Sequence, residues 1–186
     1  EIVQNGFTFN DLIVYIFFAL MVGQLKSSWV TAFEMIDSIR GGDLNKYLIR
    51  PISFFTYFFS YFLGYNSLFY FAYAIMLIIF PFLFPGWAFP TFYHLCFFLL
   101  ILAVSIYLSY TIYFSMVCLA FWFGEVRSIV VGYNLANLVF SGQLIPLHFF
   151  PEKFLTVINL TPIPFLVYIP VRVATGHLPM TEWLEI

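Results

Sequence analysis

From position 51 to position 124 the chain contains no aspartate, glutamate, lysine or arginine. A helix needs about 20 apolar residues to cross the hydrocarbon core of a bilayer, which is about 30 Å thick. The uncharged interval is long enough for two such helices, and it is interrupted in its middle by Pro81, Pro85, Gly86 and Pro90. Because proline and glycine end or kink helices, the interval predicts two hydrophobic helices, at about 52–80 and 91–123.

The composition of the whole chain excludes a water-soluble domain. Of the 186 residues, 63% are hydrophobic and only 9% are charged, whereas a soluble domain carries about 25% charged residues. Aromatic residues reach 24%, which suits helices that face a lipid bilayer and carry aromatic belts at its interfaces. The net charge of -2 and the lack of a basic tract give no reason to expect nucleic acid as a partner.

Outside the uncharged interval, the pattern predicts further helices of different kinds. A first span covers about 10–25, and an amphipathic helix at 26–39 is expected to leave the membrane along its interface. Gly41-Gly42 breaks that helix, and Asp43 is placed to cap a short new one. A further span is predicted at about 129–143.

The C-terminal part changes character, because prolines divide it into apolar pieces too short to cross a bilayer. These are Pro146, Pro151, Pro162, Pro164, Pro170 and Pro179. We expect interfacial or re-entrant half-helices there, with backbone groups satisfied by neighbouring protein. The predicted fold class is all-α: a polytopic helical membrane protein with about four spanning helices plus these half-helices, forming a single partial transmembrane domain over 1–186.

The distribution of basic residues predicts the orientation, since lysine and arginine are enriched in cytoplasmic loops. Four of the seven lie close together, namely Lys26, Arg40, Lys46 and Arg50. The segment 26–51 is therefore predicted to be cytoplasmic. The turn at 81–90 has no basic residue and is predicted to lie outside, Arg127 returns to the inside, and 144–176 is predicted to be an outer re-entrant segment.

The chain lacks the sequence patterns of common catalytic sites. No lysine follows a glycine, so the phosphate-binding loop is absent, as are the H-E-x-x-H zinc pair and the G-x-S-x-G nucleophile motif. We predict no catalytic residue, metal site or cofactor in this chain. Beyond Pro51, no charged side chain falls in the middle of a predicted span. Energy for uphill transport is therefore expected from a partner outside the bilayer.

Two motifs make the chain similar to a known transporter family. Residues 42–51 read G-D-L-N-K-Y-L-I-R-P, which matches the pattern G-D-L-x-x-x-L-x-R-P. Residues 140–147 read F-S-G-Q-L-I-P-L and continue to Phe150-Pro151, and Pro164-Phe165, Pro170 and Gly176 follow in order. From about Tyr15 to Gly176 the chain resembles the permease subunits of ATP-binding-cassette (ABC) exporters of the type-two class.

The resemblance implies a six-helix half-transporter in a cell membrane, most simply the bacterial inner (plasma) membrane. The chain would then be a fragment that lacks the first and last helices. It would pair with a second permease subunit, as a homodimer or heterodimer, and dock onto cytoplasmic ABC ATPase subunits. ATP and magnesium would be bound by that partner ATPase, so this chain would not itself be an enzyme.

The resemblance also places the contact with the ATPase in the loop that carries the first motif. A short helix flanked by glycine and proline can sit in a groove and transmit rigid-body motion. The predicted coupling residues are Arg40, Gly41, Gly42, Asp43, Leu44, Lys46, Tyr47, Leu48, Arg50 and Pro51. The alternative is an interfacial connector that only joins two helices.

Two further sets of residues are candidates for the transport path. Gly142, Pro146 and Pro151 are predicted to form an outer gate where the fifth helix unwinds, or else a plain extracellular turn. Asn134, Asn137 and Ser141 recur at helical spacing and therefore share one face. That face either lines a translocation path or packs against a neighbouring helix.

Other functional classes stay open at this stage. An ion-coupled secondary transporter would need a carboxylate within the membrane, in spans outside this sequence. A membrane-embedded transferase would need a cluster of His, Asp, Glu and Ser at one interface. A non-transporting membrane scaffold would have no ATPase partner.

Overall fold

The computed structural model describes residues 2–3, 7–83 and 92–176, and almost all of this part of the chain is helical. A short antiparallel ladder joins β1 (Ile2–Val3) to β2 (Phe7–Thr8). The helices that follow are α1 (Phe9–Leu25), α2 (Trp29–Arg40), α3 (Asn45–Leu48), α4 (Phe54–Leu83), α5 (Phe92–Cys118), α6 (Ala120–Phe123), α7 (Arg127–Phe140), α8 (Glu152–Asn159) and α9 (Tyr168–Ala174). Two 3₁₀ turns lie at Leu147–Phe149 and Ile163–Leu166.

The two long hydrophobic helices predicted from the uncharged interval are confirmed as α4 and α5. α4 does not stop before Pro81 but continues to Leu83. A proline removes one backbone hydrogen bond. Because Pro81 lies close to the end of this 30-residue helix, the remaining hydrogen bonds are enough to keep the last turn helical. The turn predicted at 81–90 lies largely outside the described residues.

The predicted all-helical membrane fold is confirmed, with three stretches of the described chain long and apolar enough to cross a bilayer: Asp11–Arg40, Phe54–Phe82 and Tyr93–Phe123. The fourth span, predicted at 129–143, is instead the 14-residue helix α7. At 1.5 Å per residue it is about 21 Å long, which is less than the thickness of the hydrocarbon core. The predicted number of four spans is therefore not confirmed.

The first of these stretches is interrupted between α1 and α2, and polar side chains of distant helices satisfy the backbone there. Tyr70 Oη donates to the carbonyl oxygen of Leu25 (3.2 Å), and Ser109 Oγ donates to that of Lys26 (2.9 Å). Tyr70 and Ser109 belong to the long apolar helices α4 and α5. Because an unpaired carbonyl is costly in apolar surroundings, these hydroxyls hold the interruption inside the helix bundle.

α2 is embedded among other helices rather than lying apart from them. It contacts α4, α5, α6 and α7. Its buried residues are Thr31, Ala32, Met35 and Ile36. Ala32, Met35 and Ile36 join Phe62 of α4 and Tyr110 of α5 in one of two hydrophobic clusters. The sequence pattern correctly predicted an amphipathic helix here, but its packing against four helices depends on contacts that only the fold brings together.

The second hydrophobic cluster lies where α9 meets α1 and α5. It contains Phe18, Leu102, Leu166 and Val171, all buried. The backbone of the nearby 3₁₀ turn is satisfied by Ser105, whose Oγ donates to the carbonyl oxygen of Leu166 (2.6 Å). Leu166 and α9 are thus packed into the bundle, whereas most of α8 is exposed. That 144–176 forms an outer re-entrant segment stays a prediction.

Removal of the Ser105 hydroxyl should destabilise the protein, because Ser105→Ala leaves the buried carbonyl of Leu166 without its donor. Loss of a buried partner costs about 1–3 kcal/mol. Ser115→Ala is the matched control: Ser115 is on the same helix but exposed, and its hydroxyl only bonds within α5. Thermal unfolding of the full-length protein in one detergent should show a lower midpoint for Ser105→Ala alone. Equal midpoints for the two variants would contradict this role.

Candidate coupling surface and intramembrane cavity

The predicted coupling segment begins where α2 ends. The Gly41 N–H donates to the carbonyl oxygen of Asp37 (2.8 Å), and Gly42 has a φ of 76°, in the left-handed region that favours glycine. The helix that follows, α3, is a single turn and is shorter than predicted, since Ile49 already closes it. The segment therefore forms a compact, exposed corner between α2 and α4.

Asp43 does not cap α3 through its side chain, contrary to the prediction. Leu44 occupies the N-cap position with helical dihedral angles, and no side chain caps the helix. The Asp43 carboxylate instead forms an ion pair with Lys46 Nζ at 2.9 Å. The hydrogen bond to Asp43 raises the pKa of Lys46. Both side chains are exposed to water, so the pair adds little to stability.

Tyr47 joins α3 to the start of α4. Its ring lies 5.3 Å from that of Phe54, 4.9 Å from that of Tyr57 and 5.4 Å from that of Phe58, measured between centroids. The sequence assigned Tyr47, with Leu44 and Leu48, to a partner-binding face. In the structure Tyr47 serves an internal contact, Leu44 is half-buried, and the Leu48 side chain lies outside the described part of the chain.

The outward surface of the segment is made of polar and charged groups with one large apolar residue. Arg40, Asp43, Lys46 and Arg50 are exposed, as are Gly41, Gly42 and Pro51. Ile49 is 85% exposed. Such exposure is unusual for an isoleucine unless a partner covers it in the complete assembly. We call the exposed set Arg40, Asp43, Asn45, Lys46, Ile49 and Arg50 the coupling surface.

Ion pairs connect this corner to the start of α7, and sequence reasoning missed them. Arg40 pairs with Glu125, and Arg127 pairs with Asp37 and lies 4.0 Å from a carboxylate oxygen of Glu125. From the sequence we predicted only that Arg127 lies on the inside of the membrane. No local signal could have revealed the pairs, because their members are 85 and 90 residues apart in the chain.

The predicted outer-gate residues separate into two groups. Gly142 and Pro146 are buried, and Tyr15 Oη donates to the carbonyl oxygen of Gly142 (2.7 Å). A Cβ atom at position 142 would meet that hydroxyl at 3.0 Å, and the φ of 79° also requires glycine. Pro151, in contrast, is exposed and precedes α8. The structure thus brings Gly142 and Pro146 into one turn against α1 but leaves Pro151 apart.

The polar stripe predicted on α7 lies on its protein-facing side. Asn137 is 3% exposed and Ser141 is fully buried. Asn134 accepts a hydrogen bond from Tyr113 Oη (2.9 Å). Asn137 Oδ1 and Ser141 Oγ are buried and have no hydrogen-bond partner within the described residues. The stripe therefore includes one residue tied to α5 and two whose polar atoms are not satisfied by the described chain.

A cavity of about 450 Å³ opens beside the interruption between α1 and α2. Its polar lining comes from α1, the α1–α2 turn, α4, α5, α7 and the turn after α7, and includes Gln24, Lys26, Ser27, Tyr73, Tyr113, Asn134 and Gln143. Lys26 is only 3% exposed. The sequence placed Lys26 among cytoplasmic charges; the structure buries its side chain in the bundle, where the Ser109 hydroxyl of α5 donates to the Lys26 carbonyl oxygen. The segment Gln24-Leu25-Lys26-Ser27-Ser28, in which only Leu25 is apolar, marks an interruption of the apolar pattern but does not show that Lys26 is buried.

The described ranges contain no group of three or more histidine, cysteine, aspartate or glutamate residues that could hold a metal ion. Charge in this part of the molecule is instead organised as the ion pairs at the α2–α7 corner and as the single buried ammonium beside the cavity.

Comparison with known proteins gives one match. The model of a family described as "ABC-2 family transporter protein" matches residues 3–185. No similar protein was found among curated proteins, and none among solved structures.

The ion pairs between α2 and α7 should be measurable by charge reversal. Arg127→Asp places a third carboxylate beside Asp37 and Glu125, so it should lower the thermal midpoint, whereas Asp37→Arg combined with Arg127→Asp restores the pair. The expected coupling energy is about 0.5–1 kcal/mol, since the side chains are partly exposed. Lys153→Asp provides the same reversal at an exposed position away from this corner. If the destabilisation of the double variant equals the sum of the destabilisations of the two single variants, the pairing is refuted.

Proposed function

Since the chain belongs to the ABC-2 family of transporter proteins, we propose that it is the membrane-spanning permease subunit of an ATP-driven exporter. Separate cytoplasmic ABC ATPase subunits supply the energy. The observation that carries the proposal is the family match, which extends over residues 3–185 and thus over the whole helical bundle. Export, rather than import, follows the resemblance of the 42–51 motif to type-two exporters.

The coupling surface supplies what an ATPase contact requires. It is exposed, it presents both signs of charge, and its one large apolar side chain, Ile49, is uncovered. Its base is held by the aromatic contacts of Tyr47 with α4. A small element on such a firm base can pass a displacement into the membrane helices instead of absorbing it.

Two connections lead from the coupling surface into the bundle. α2 leads directly from Arg40 back to the interruption at Lys26, and the ion pairs of Asp37 and Arg40 bind the end of α2 to the start of α7. Movement of the coupling surface would therefore carry α2 and α7 together. The three-residue interruption before α2 is the place where α2 can turn relative to α1.

The remaining parts of the proposal concern the ATPase, the membrane and the second permease subunit. ATP and magnesium bind to the ATPase, and the permease works in a bacterial plasma membrane as a pair with a second permease subunit, identical or not. α4 has an extensive apolar surface for lipid or for this second subunit: Leu68, Phe71 and Ile78 are 75%, 67% and 70% exposed. On this reading the 26–51 segment faces the cytoplasm and 144–176 the outside.

Cysteine crosslinking tests the proposed contact with the ATPase. Asn45→Cys is introduced into a full-length permease whose native Cys96 and Cys118 are replaced, and the protein is co-expressed and purified with the proposed partner ATPase. We expect a crosslink whose yield changes on addition of ATP, because Asn45 is exposed on the coupling surface.

Leu160→Cys is the matched control for this experiment. Leu160 is 85% exposed but belongs to the segment assigned to the other side of the membrane, so it should give no crosslink. A co-purified, intact complex that crosslinks equally at both positions would contradict the proposed orientation. Failure of the permease to bind any ATPase would contradict the proposed function and favour an ion-coupled transporter or a scaffold.

A further inference from the structure

We propose that the cavity beside the α1–α2 interruption binds an anionic oxygen group of the transported substrate, a phosphate, sulfate or carboxylate, and that Lys26 is the cation that binds it. This inference rests on the proposed transport function and specifies the substrate class. It arises from the buried Lys26 side chain and the cavity beside it, which the coupling mechanism does not use.

The charge of Lys26 is not balanced by the described chain. Arg40 and Lys46 are exposed, Arg127 is half-buried, and each has a carboxylate partner. Lys26, in contrast, is 3% exposed and forms no ion pair with any carboxylate of residues 7–83 or 92–176. An ionisable side chain inside a membrane bundle is costly and marks a path or binding site for a charged ligand. The arrangement therefore calls for an anion in the cavity.

The position of Lys26 is fixed by its own backbone. Its carbonyl oxygen accepts hydrogen bonds from Ser109 Oγ (2.9 Å) and Ser28 Oγ (3.2 Å), and Tyr70 holds the adjacent Leu25 carbonyl. A cation on a constrained turn loses little conformational freedom when it binds a ligand. The turn is thus preorganised, and it is not a loose loop that happens to carry a lysine.

The other polar groups of the cavity can donate hydrogen bonds to an oxyanion. Tyr113 donates to Asn134 Oδ1 (2.9 Å), which leaves the amide N–H groups of Asn134 for a further acceptor. Gln143 lies directly over Gly23, where a Cβ atom would overlap its amide group. Glycine at 23 therefore allows the Gln143 amide to occupy the wall of the cavity.

The edge of the cavity is apolar. Leu20 and Trp29 line it and are 52% and 40% exposed, so they mark its opening on the surface of the bundle. The volume of about 450 Å³ lies within the range of small-molecule sites, which is about 300–1,000 Å³. A polar interior with an apolar mouth suits an amphiphilic anion, whose charged group enters first and whose hydrocarbon part stays at the lipid-facing edge.

Fluorescence of Trp29 provides a direct binding measurement, because this side chain lines the cavity. The full-length permease, with every other tryptophan replaced by phenylalanine, is placed in nanodiscs of phosphatidylcholine, a lipid without net charge. It is titrated with dodecyl phosphate, with inorganic phosphate, and with dodecyl maltoside, which has the same alkyl chain without a charge.

We expect the fluorescence of Trp29 to change saturably with dodecyl phosphate. Dodecyl maltoside should not produce this change. Lys26→Met should weaken the binding of dodecyl phosphate about tenfold or more, since a charge-assisted hydrogen bond is lost. Lys26→Arg should stay close to the parent protein because it keeps the charge. Lys153→Met, which removes the same charge from an exposed position, should have no effect.

The titrations also distinguish the sources of the anion. A response to inorganic phosphate as well as to dodecyl phosphate indicates a site for free oxyanions, and a response to dodecyl phosphate alone indicates an amphiphile or lipid headgroup. The proposal is overturned if the parent protein shows no saturable response to either phosphate, as expected if a carboxylate of a second subunit fills the site. Equal binding by Lys26→Met, or competition by dodecyl maltoside, would overturn it too.

Because binding is measured without ATP, its outcome is independent of the coupling mechanism. Lys26→Met should retain the nucleotide-dependent crosslink at position 45, which also shows that the variant is folded. If Lys26→Met loses anion binding and keeps the crosslink, the proposed anion site is supported. If the parent protein binds the anion but contacts no ATPase, the anion site is still supported and the proposed coupling is refuted.

Discussion

The fold depends on the need to satisfy backbone carbonyl groups where helices are interrupted in apolar surroundings. At the α1–α2 interruption, Tyr70 and Ser109 supply the donors from two other helices. Ser105 does the same for Leu166, and Tyr15 for Gly142. Each hydroxyl lets irregular backbone lie inside the bundle, where water cannot provide the bond. The long apolar helices therefore act as scaffolds whose few polar side chains determine where other segments bend.

The functional features follow from these bends. The interruption before α2 carries Lys26 into the interior and leaves a cavity with α7, while the other end of α2 reaches the exposed coupling surface. At the C-terminal end of α2, ion pairs of Asp37 and Arg40 attach this helix to residues at the start of α7. One helix thus has the proposed energy input at its C-terminus and the proposed substrate site at its N-terminus, so that a rigid α2 would connect them.

Much of the fold could be predicted because the membrane imposes simple requirements on length and charge. The uncharged interval led directly to α4 and α5, and glycines marked the end of α2. The burial of Lys26 was not predicted, and this has a physical reason: the position of Lys26 depends on Ser109, which is 83 residues away in the chain. The α2–α7 ion pairs and the internal use of Tyr47 are likewise products of packing. The sequence alone does not show whether a lysine is surrounded by water or by an apolar helix bundle.

The central claim is that α2 turns relative to α1 at the interruption while staying attached to α7. Electron paramagnetic resonance distances between spin labels on exposed positions of the full-length transporter test it most directly. One pair joins Ile16 to Glu34 across the interruption, and another joins Glu34 to Val131 between α2 and α7. The account predicts that binding of a non-hydrolysable ATP analogue to the ATPase changes the first distance and preserves the second. A constant first distance, or a change confined to the second, would contradict it.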